Sequence, residues 1–481
     1  MDYQDETEII KESAESTETS SPFDNFRFKE YGVCSICQKF NTNYGWCKSC
    51  DPEKLTQGWT SGNAEIDEFI KETQRIAESY TENFLEWISF DRFENIIKIG
   101  EGGFSTVYRA TWMDGNRILC FDENLYEQNV PSRSKPVTVA LKTLNKFMKA
   151  SSDSLREFKT HYKCSRLTIK VYGFTHNIST NEYMVVLTYA DKGNLRDYLS
   201  SNFNNLNWEK KLTLLYTLSK DLFPIHRAGY THGDFHSGNI LQSSIKSNLN
   251  DDIFTIPTTS SASNTAISSV PNLDTNICSY IADLGLSAPK DKSNNDVYGV
   301  LPYVAPEVLR GDPYTVAADV YSFGIVMTEV STGRPPFSDY SYDYSLALKI
   351  NKGFRPEFSE GTPECYVKLA MQCMDSDSSK RPRIKKIQAI LFNWRNIIQG
   401  IQGIQGVLSA IEVNIKKEFE ISDKIIPTTT IQNHQKTKET QETYRSQRLY
   451  FPNLINYEDE IQKISSNATD SLEDMLISDF D

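Results

Sequence analysis

The stretch THGDFHSGNIL, Thr231 to Leu241, sets an acid, Asp234, five residues before an asparagine, Asn239. A carboxylate at Asp234 can orient an attacking hydroxyl and accept its proton. Asn239 offers a neutral oxygen of the kind Mg²⁺ takes while keeping several waters. Further on, YIADLGLS supplies Asp283 at a strand end, a second hard oxygen for a metal that bridges phosphates. Taken singly, each of the three reads better as a solvated loop residue. Their weight comes from the segments that must position them.

Upstream, IGEGGFSTVYRATW places Gly100, Gly102 and Gly103 at a strand-turn-strand tip, where backbone N–H groups can approach a phosphate with no Cβ in the way. Val107 and Tyr108 resume the β-prone pattern; the same string also fits a plain tight hairpin. VTVALKTL ends an alternating run on Lys142, a point-charge phosphate binder or simply a lysine at a strand end. SLREFKTH reads as a helix whose Glu157 can pair with Lys142. EYMVVLTYADKGNLRDYL gives a buried strand, a short connector and a new helix. Leu212, Leu215, Leu218, Leu222 and Ile225 have the spacing of a buried helix that feeds the opening stretch. Downstream lie LPYVAPEVL, DVYSFGIVMTEVSTGRPPF and KRPRIKKI. In these, Glu307 and Arg381 are either a buried ion pair or two unrelated surface charges.

A second constellation precedes all of this. CSICQKFNTNYGWCKSC holds two CxxC pairs with nine residues between them. Each pair can clamp a metal from a tight turn, and Cys34, Cys37, Cys47 and Cys50 together satisfy tetrahedral Zn²⁺. Four free or redox-active thiols are the alternative. Only Phe40, Tyr44 and Trp46 are bulky between the pairs, too little for a core, which favours a metal as the source of stability.

The 481 residues carry a net charge of −13, with 39% hydrophobic and 12% aromatic residues, as a globular body would. The acidic balance argues against nucleic acid and anionic membrane as partners. No run has the length of a membrane span and the N-terminus is acidic, so the expected compartment is the cytoplasm, with the nucleus left open. The nine cysteines then need an explanation other than disulfides.

The composition divides the chain into an acidic, disordered segment (1–30), a four-cysteine module (31–55) and a helical linker (56–90). Ser61 or Asn63 can cap the linker helix, which carries Ile66, Phe69 and Ile70 on one face. The main body follows (91–400), and a flexible tail (401–481) with a short helix near Val407 to Phe419. Two polar insertions interrupt the body, one between Trp112 and Val137 and a disordered one at about 242–279; both are expected as surface or structureless segments.

The ordered set of Gly-rich loop, strand lysine, helix glutamate, Asp and Asn of the catalytic loop, and metal-binding Asp resembles the eukaryotic protein kinase domain, over roughly Phe93 to Gly400. The ending CMDSDSSKRP makes it most similar to the tyrosine-kinase-like group, which mostly phosphorylates serine and threonine. With WTSGN and IDEFI, the cysteine module resembles a lineage-expanded family of fungal kinases.

The resemblance implies an α+β, bilobal protein kinase fold, with a β-rich N-lobe, a helical C-lobe, a zinc-ribbon-like N-terminal module and disordered tails. It implies a hinge near Leu187 to Gly193. ATP would be bound by Gly100, Gly102, Gly103, Val107, Ala140, Lys142, Leu187, Tyr189 and Ala190. Asp234, Lys142 and Glu157 would be the catalytic residues, and Asn239 and Asp283 would hold Mg²⁺. The cofactors are then ATP, Mg²⁺ and structural Zn²⁺. The partners are a protein substrate and ATP, with protein partners for the cysteine module and tails left open.

Several positions depart from the family pattern: Ser105 for the third glycine, Leu284 in DLG, Gly233 for arginine, His236 for lysine and Val300 for threonine. The absence of arginine at 233 argues against switching by a phosphorylated activation loop. The joint change at 236 and 300 weakens the assignment to Ser/Thr over Tyr. Ser287, Ser293 and Tyr298 are candidate phosphosites. A pseudokinase scaffold and a tyrosine or dual-specificity kinase stand as the alternatives.

Overall fold

A computed structural model describes residues 31–101, 105–122, 128–144, 155, 158–159, 162, 169–244, 277–283, 288–289, 297–401, 409–425 and 444–451. The chain forms two compact units, Met1–Leu155 with Lys170–Tyr189, and Arg156–Ile169 with Ala190–Asp481.

The first unit is built on a six-stranded sheet. Its strands are β1 (Glu86–Trp87), β2 (Phe93–Glu101), β3 (Thr106–Trp112), β6 (Val137–Thr143), β7 (Val171–Asn177) and β8 (Glu182–Thr188), ordered β1-β7-β8-β6-β3-β2. All pairs are antiparallel except β1 with β7. Alternation in VTVALKT sends Val139 and Leu141 into a core with Ala110, Trp112, Met184 and Val186. The linker helix Ala64–Arg75 is capped by Asn63, whose side chain accepts the N–H groups of Glu65 and Ile66. Of the two cap candidates, Ser61 instead bonds the Asp67 carboxylate. The helix meets the sheet through Phe69 on Phe174, and Gln74 donates to the Leu85 carbonyl.

The polar stretch between Trp112 and Val137 is not structureless. Strand β4 (Arg117–Asp122) pairs antiparallel with β5 (Gln128–Arg133). Arg117 donates to the carbonyls of Glu82 and Phe84 and its guanidinium lies 3.2 Å over the Phe84 ring, while Arg133 pairs with Glu86. Polar side chains thus dock the hairpin through hydrogen bonds, a role that a hydrophobicity pattern does not register.

The second unit is mainly helical. Its core helix, Val316–Thr332, is apolar on nearly every side and is buried along almost its whole length. Gly333 ends it in the left-handed region (φ +69°). Helices Trp208–Arg227 and Glu364–Cys373 pack on it; Ile384–Gln399 packs on Trp208–Arg227 and Tyr344–Asn351 on Pro306–Leu309, all within one core. Glu307 and Arg381 form a buried bidentate pair at 2.6 and 2.7 Å, the ion-pair reading of those two residues.

The expected flexible tail is partly folded. Helix Ala410–Ile425 buries Phe419 against Trp208 and Trp394, and Ser422 accepts the Trp208 indole N–H at 2.6 Å. Strand β14 (Gln447–Leu449) pairs with β13 (Val297–Gly299). The helix overlaps and extends the short one expected near Val407 to Phe419; few apolar residues dock it, so composition alone does not register the docking. The expected disordered insertion begins and ends in structure: β10 (Ile240–Ser244) pairs with β11 (Ile277–Ile281). Residues 245–276 lie outside the described residues.

Candidate active site

The loop from His232 to Asn239 runs between helix Trp208–Arg227 and strand β10. Its backbone is held by Asp319, in the first turn of the core helix. Asp319 accepts the His232 N–H at 2.8 Å and the Gly233 N–H at 3.0 Å, and meets His226 Nε2 at 2.9 Å. Burial pushes this carboxyl up, but the surrounding donors outweigh it and the net shift is downward, so an anion is held in the core. His232 is buried and burial lowers its pKa. Its Nδ1 accepts the Asp234 N–H at 3.2 Å and its Nε2 faces the Ala282 carbonyl at 3.2 Å, which fixes the proton on Nε2. Gly233 sits at φ +77°. A side chain there would meet a strain of about 1–2 kcal/mol, so the glycine that departs from the family pattern has a backbone reason.

Asn239 donates from Nδ2 to both the main-chain oxygen and Oδ2 of Asp234, each at 3.0 Å, which leaves its amide oxygen for a cation. His236 Nδ1 accepts the Gly238 N–H at 3.0 Å; Nε2 therefore carries the proton and points to Asp234 Oδ2 at 3.5 Å. Burial raises the Asp234 pKa, but His236, Ser446 and His232 outweigh it and the group is held below the usual carboxylate range. The hydroxyl of Ser446 donates to Asp234 Oδ2 at 2.5 Å. Beneath the loop, Ser237 and Glu329 share the Tyr303 hydroxyl at 3.0 and 2.7 Å.

Asp283 follows directly on Ala282, whose N–H donates to the Asn239 carbonyl at 2.9 Å. It is exposed and sits at φ +62°, a conformation aspartate tolerates better than most residues. The loop thus joins Asp234 to Asn239, and the Ala282 amide brings the backbone just before Asp283 against Asn239; carboxylate and amide oxygens of these types suit a hydroxyl and a hard cation.

In the first unit, strand register sorts the remaining candidates. Val107 lies opposite Lys142, Lys142 opposite Val185, and Ala140 opposite Leu187. With period 2, Val107, Ala140, Lys142 and Leu187 share one face of the sheet, and Val139, Leu141 and Val186 line the core on the other. Gly100 is at the end of β2 opposite Val107. Tyr189 and Ala190 follow β8, and the division between the units falls between them. Gly102, Gly103, Glu157, Leu284, Ser287 and Ser293 lie outside the described residues. Tyr298 lies in β13 and its carbonyl accepts the Tyr314 hydroxyl.

The four cysteines are gathered, with all four sulfur atoms within 4.8 Å of one another. Cys37 and Cys47 Sγ are 3.7 Å apart. Four thiolates around Zn²⁺ at about 2.3 Å would stand about 3.8 Å apart along a tetrahedron's edges, so the donor set fits. The module rests on the linker through Trp46 against Phe84, and Lys48 Nζ donates to the Ala77 carbonyl.

Motif reading passes over Asp319, the Tyr303–Glu329 pair and Ser446. The first two lie inside quoted motifs, where spacing gives no sign of what they touch. Ser446 lies in a polar tail that carries no motif.

The profile described as "Protein tyrosine and serine/threonine kinase" matches residues 93–391. The chain is 27% identical over 319 residues to the probable serine/threonine-protein kinase roco5 of Dictyostelium discoideum, a match that covers 63% of this chain and 10% of the relative. It is 28% identical over 265 residues to probable serine/threonine-protein kinase roco6 of the same organism, covering 49% and 11%. The chain thus spans only a small part of either relative. Among the described residues no helix is long and apolar enough to cross a membrane. With the family match covering well over half its length, and with a catalytic-loop Asp and Asn joined by hydrogen bonds, the chain belongs to the protein tyrosine and serine/threonine kinase family.

Proposed function

We propose that the chain is an ATP-dependent protein kinase acting on serine and threonine hydroxyls, of the tyrosine-kinase-like group that CMDSDSSKRP suggests. The observation that carries this reading is Asp234, an anion buttressed by Asn239 with a serine hydroxyl hydrogen-bonded to Oδ2. In this reading Asp234 orients the acceptor hydroxyl and takes its proton as the oxygen–phosphorus bond forms. Asn239 and Asp283 hold Mg²⁺, which when bound neutralises charge on the phosphates. Lys142, paired with Glu157, binds the phosphates, and Gly100, Gly102, Gly103, Val107, Ala140, Leu187, Tyr189 and Ala190 receive the nucleotide. His236 Nε2–H is a donor toward the acceptor oxygen, in place of the family's lysine.

A Mg·ATP phosphorylation assay on a serine peptide tests this. Asp234→Asn is expected to lose a factor of about 10²–10⁴ in rate. Equal, background-level transfer by wild type and variant overturns the reading.

We further propose that residues 31–55 are a zinc module held by Cys34, Cys37, Cys47 and Cys50, preceding a kinase domain at 91–400. Protein purified without chelator is expected to carry one Zn²⁺ per chain, measured by elemental analysis. Its removal should unfold the module, since structural zinc supplies about 10–16 kcal/mol in small sites. Metal-free protein with an unchanged Trp46 fluorescence overturns the assignment.

A further inference from the structure

The chain places one of its own serines at Asp234, the carboxylate read above as the base. Ser446 Oγ donates to Asp234 Oδ2 at 2.5 Å and meets His236 Nε2 at 3.3 Å. Because His236 Nδ1 already accepts the Gly238 N–H, its Nε2–H is the donor to the serine oxygen. The hydroxyl is thus oriented from both sides, its proton toward the carboxylate and a lone pair toward the imidazole.

The surrounding backbone holds it there as a strand. Gln447–Leu449 pairs antiparallel with Val297–Gly299, with Gly299 opposite Gln447 and Val297 opposite Leu449. Strand addition of this kind is how a sheet edge captures an extended peptide, with alternate side chains entering pockets. Leu449 is buried in the core of the second unit. On the other side, Tyr444 lies under the Arg196 guanidinium at 4.6 Å and packs edge-to-face against Tyr342, and Arg196 donates to its carbonyl. Phe451 packs on Tyr344. Anchors before and after Ser446 fix its register on Asp234.

We propose that residues 444–451 are a tethered substrate of this site and that Ser446 is the acceptor of an intramolecular phosphoryl transfer. The inference rests on the kinase reading above. Ser446 Oγ attacks the terminal phosphorus of ATP, and the new O–P bond forms as the bond from that phosphorus to the bridging oxygen breaks. ADP leaves with the electron pair, and the hydroxyl proton passes to Asp234 Oδ2. The product carries about −1.5 to −2 charge beside the Asp234 carboxylate. Like charges at that distance repel, so the phosphorylated segment leaves the site and frees the edge of β13 for another substrate strand.

The experiment uses the full chain, dephosphorylated, with Mg·ATP and an added peptide of sequence YRSQRLYF, followed by peptide mass spectrometry over a series of protein concentrations. The expected result is phosphate on Ser446 with a rate constant independent of protein concentration. Leu449→Asp, checked for an unchanged melting curve, should slow Ser446 modification about tenfold or more, while peptide phosphorylation persists or rises. Peptide phosphorylated with Ser446 unmodified overturns the inference and leaves the kinase reading standing. A Ser446 rate that climbs with protein concentration means transfer between molecules and also overturns it. No phosphate on either substrate overturns both.

Discussion

Two buried charges in the second unit meet opposite fates. Asp319, under the catalytic loop, is fully buried, yet the net effect of its surroundings is to lower its pKa, because two backbone N–H groups and His226 all donate to it. Lys211, on helix Trp208–Arg227, is just as buried, and among the described residues its Nζ makes no hydrogen bond. It faces the Phe203 ring at 4.0 Å and the Trp208 ring at 5.0 Å. Burial brings its pKa down to about 7, against a smaller opposing pull from Asp423. Desolvation acts on both; what differs is the number of partners. A buried charge with all its donors is a positioning device, whereas one without them is a cost the fold carries.

The contrast is broken most severely at Asp319. Asp319→Ala leaves two buried amides and His226 without an acceptor, and is expected to cost about 3–5 kcal/mol, measured by urea unfolding. It should also abolish phosphoryl transfer, because the backbone on either side of Gly233 sets the direction of Asp234.

Lys211→Met should act in the opposite direction and raise stability by about 1–4 kcal/mol. The sign follows from linkage. The folded pKa, about 7, lies below the unfolded value of about 10.4. The unfolded chain therefore binds more protons between them, and wild-type stability rises with pH across that window. The gain from methionine is then fully present at pH 6 and shrinks toward pH 10. Melting curves at both ends of the window check this; a gain that grows with pH would contradict the assignment.

The smallest effect is expected at Gly233→Ala. Its φ of +77° predicts a loss of about 1–2 kcal/mol, read from the same urea curves. No loss would mean that the loop relaxes there, and that Asp319 fixes it less firmly than its bonds imply.

The candidate residues for chemistry are the most legible part of this sequence. Asp234, Asn239, Asp283 and the four cysteines stand in short strings whose spacing is set by one loop, one strand end or one pair of turns. Alternation in VTVALKTL likewise foretells which face of the sheet Lys142 shares with Ala140. Less legible are residues that act at a distance. Asp319 is 87 residues from the His232 amide it binds, and Ser446 is 212 residues from Asp234. The hairpin at 117–133, and the docking of the helix at 410–425 that the sequence offered only as a short helix near Val407 to Phe419, left little trace for a related reason. Arginine-to-carbonyl bonds and two or three well-placed apolar residues dock them, and neither leaves a strong periodic signal.

The sequence by itself determined the ordered motif residues, whose resemblance to the kinase domain implied the scaffold, and the four-thiol donor set, because short-range spacing along the backbone decides which side chains one turn or one strand end can bring together. Tertiary structure alone decided that Gly233 is held by a buried anion, that His236 faces Asp234, and that a serine from the tail meets the same carboxylate. The first and last of those contacts join segments far apart in the chain. They exist only once burial has removed water and made a hydrogen bond to a buried charge worth keeping.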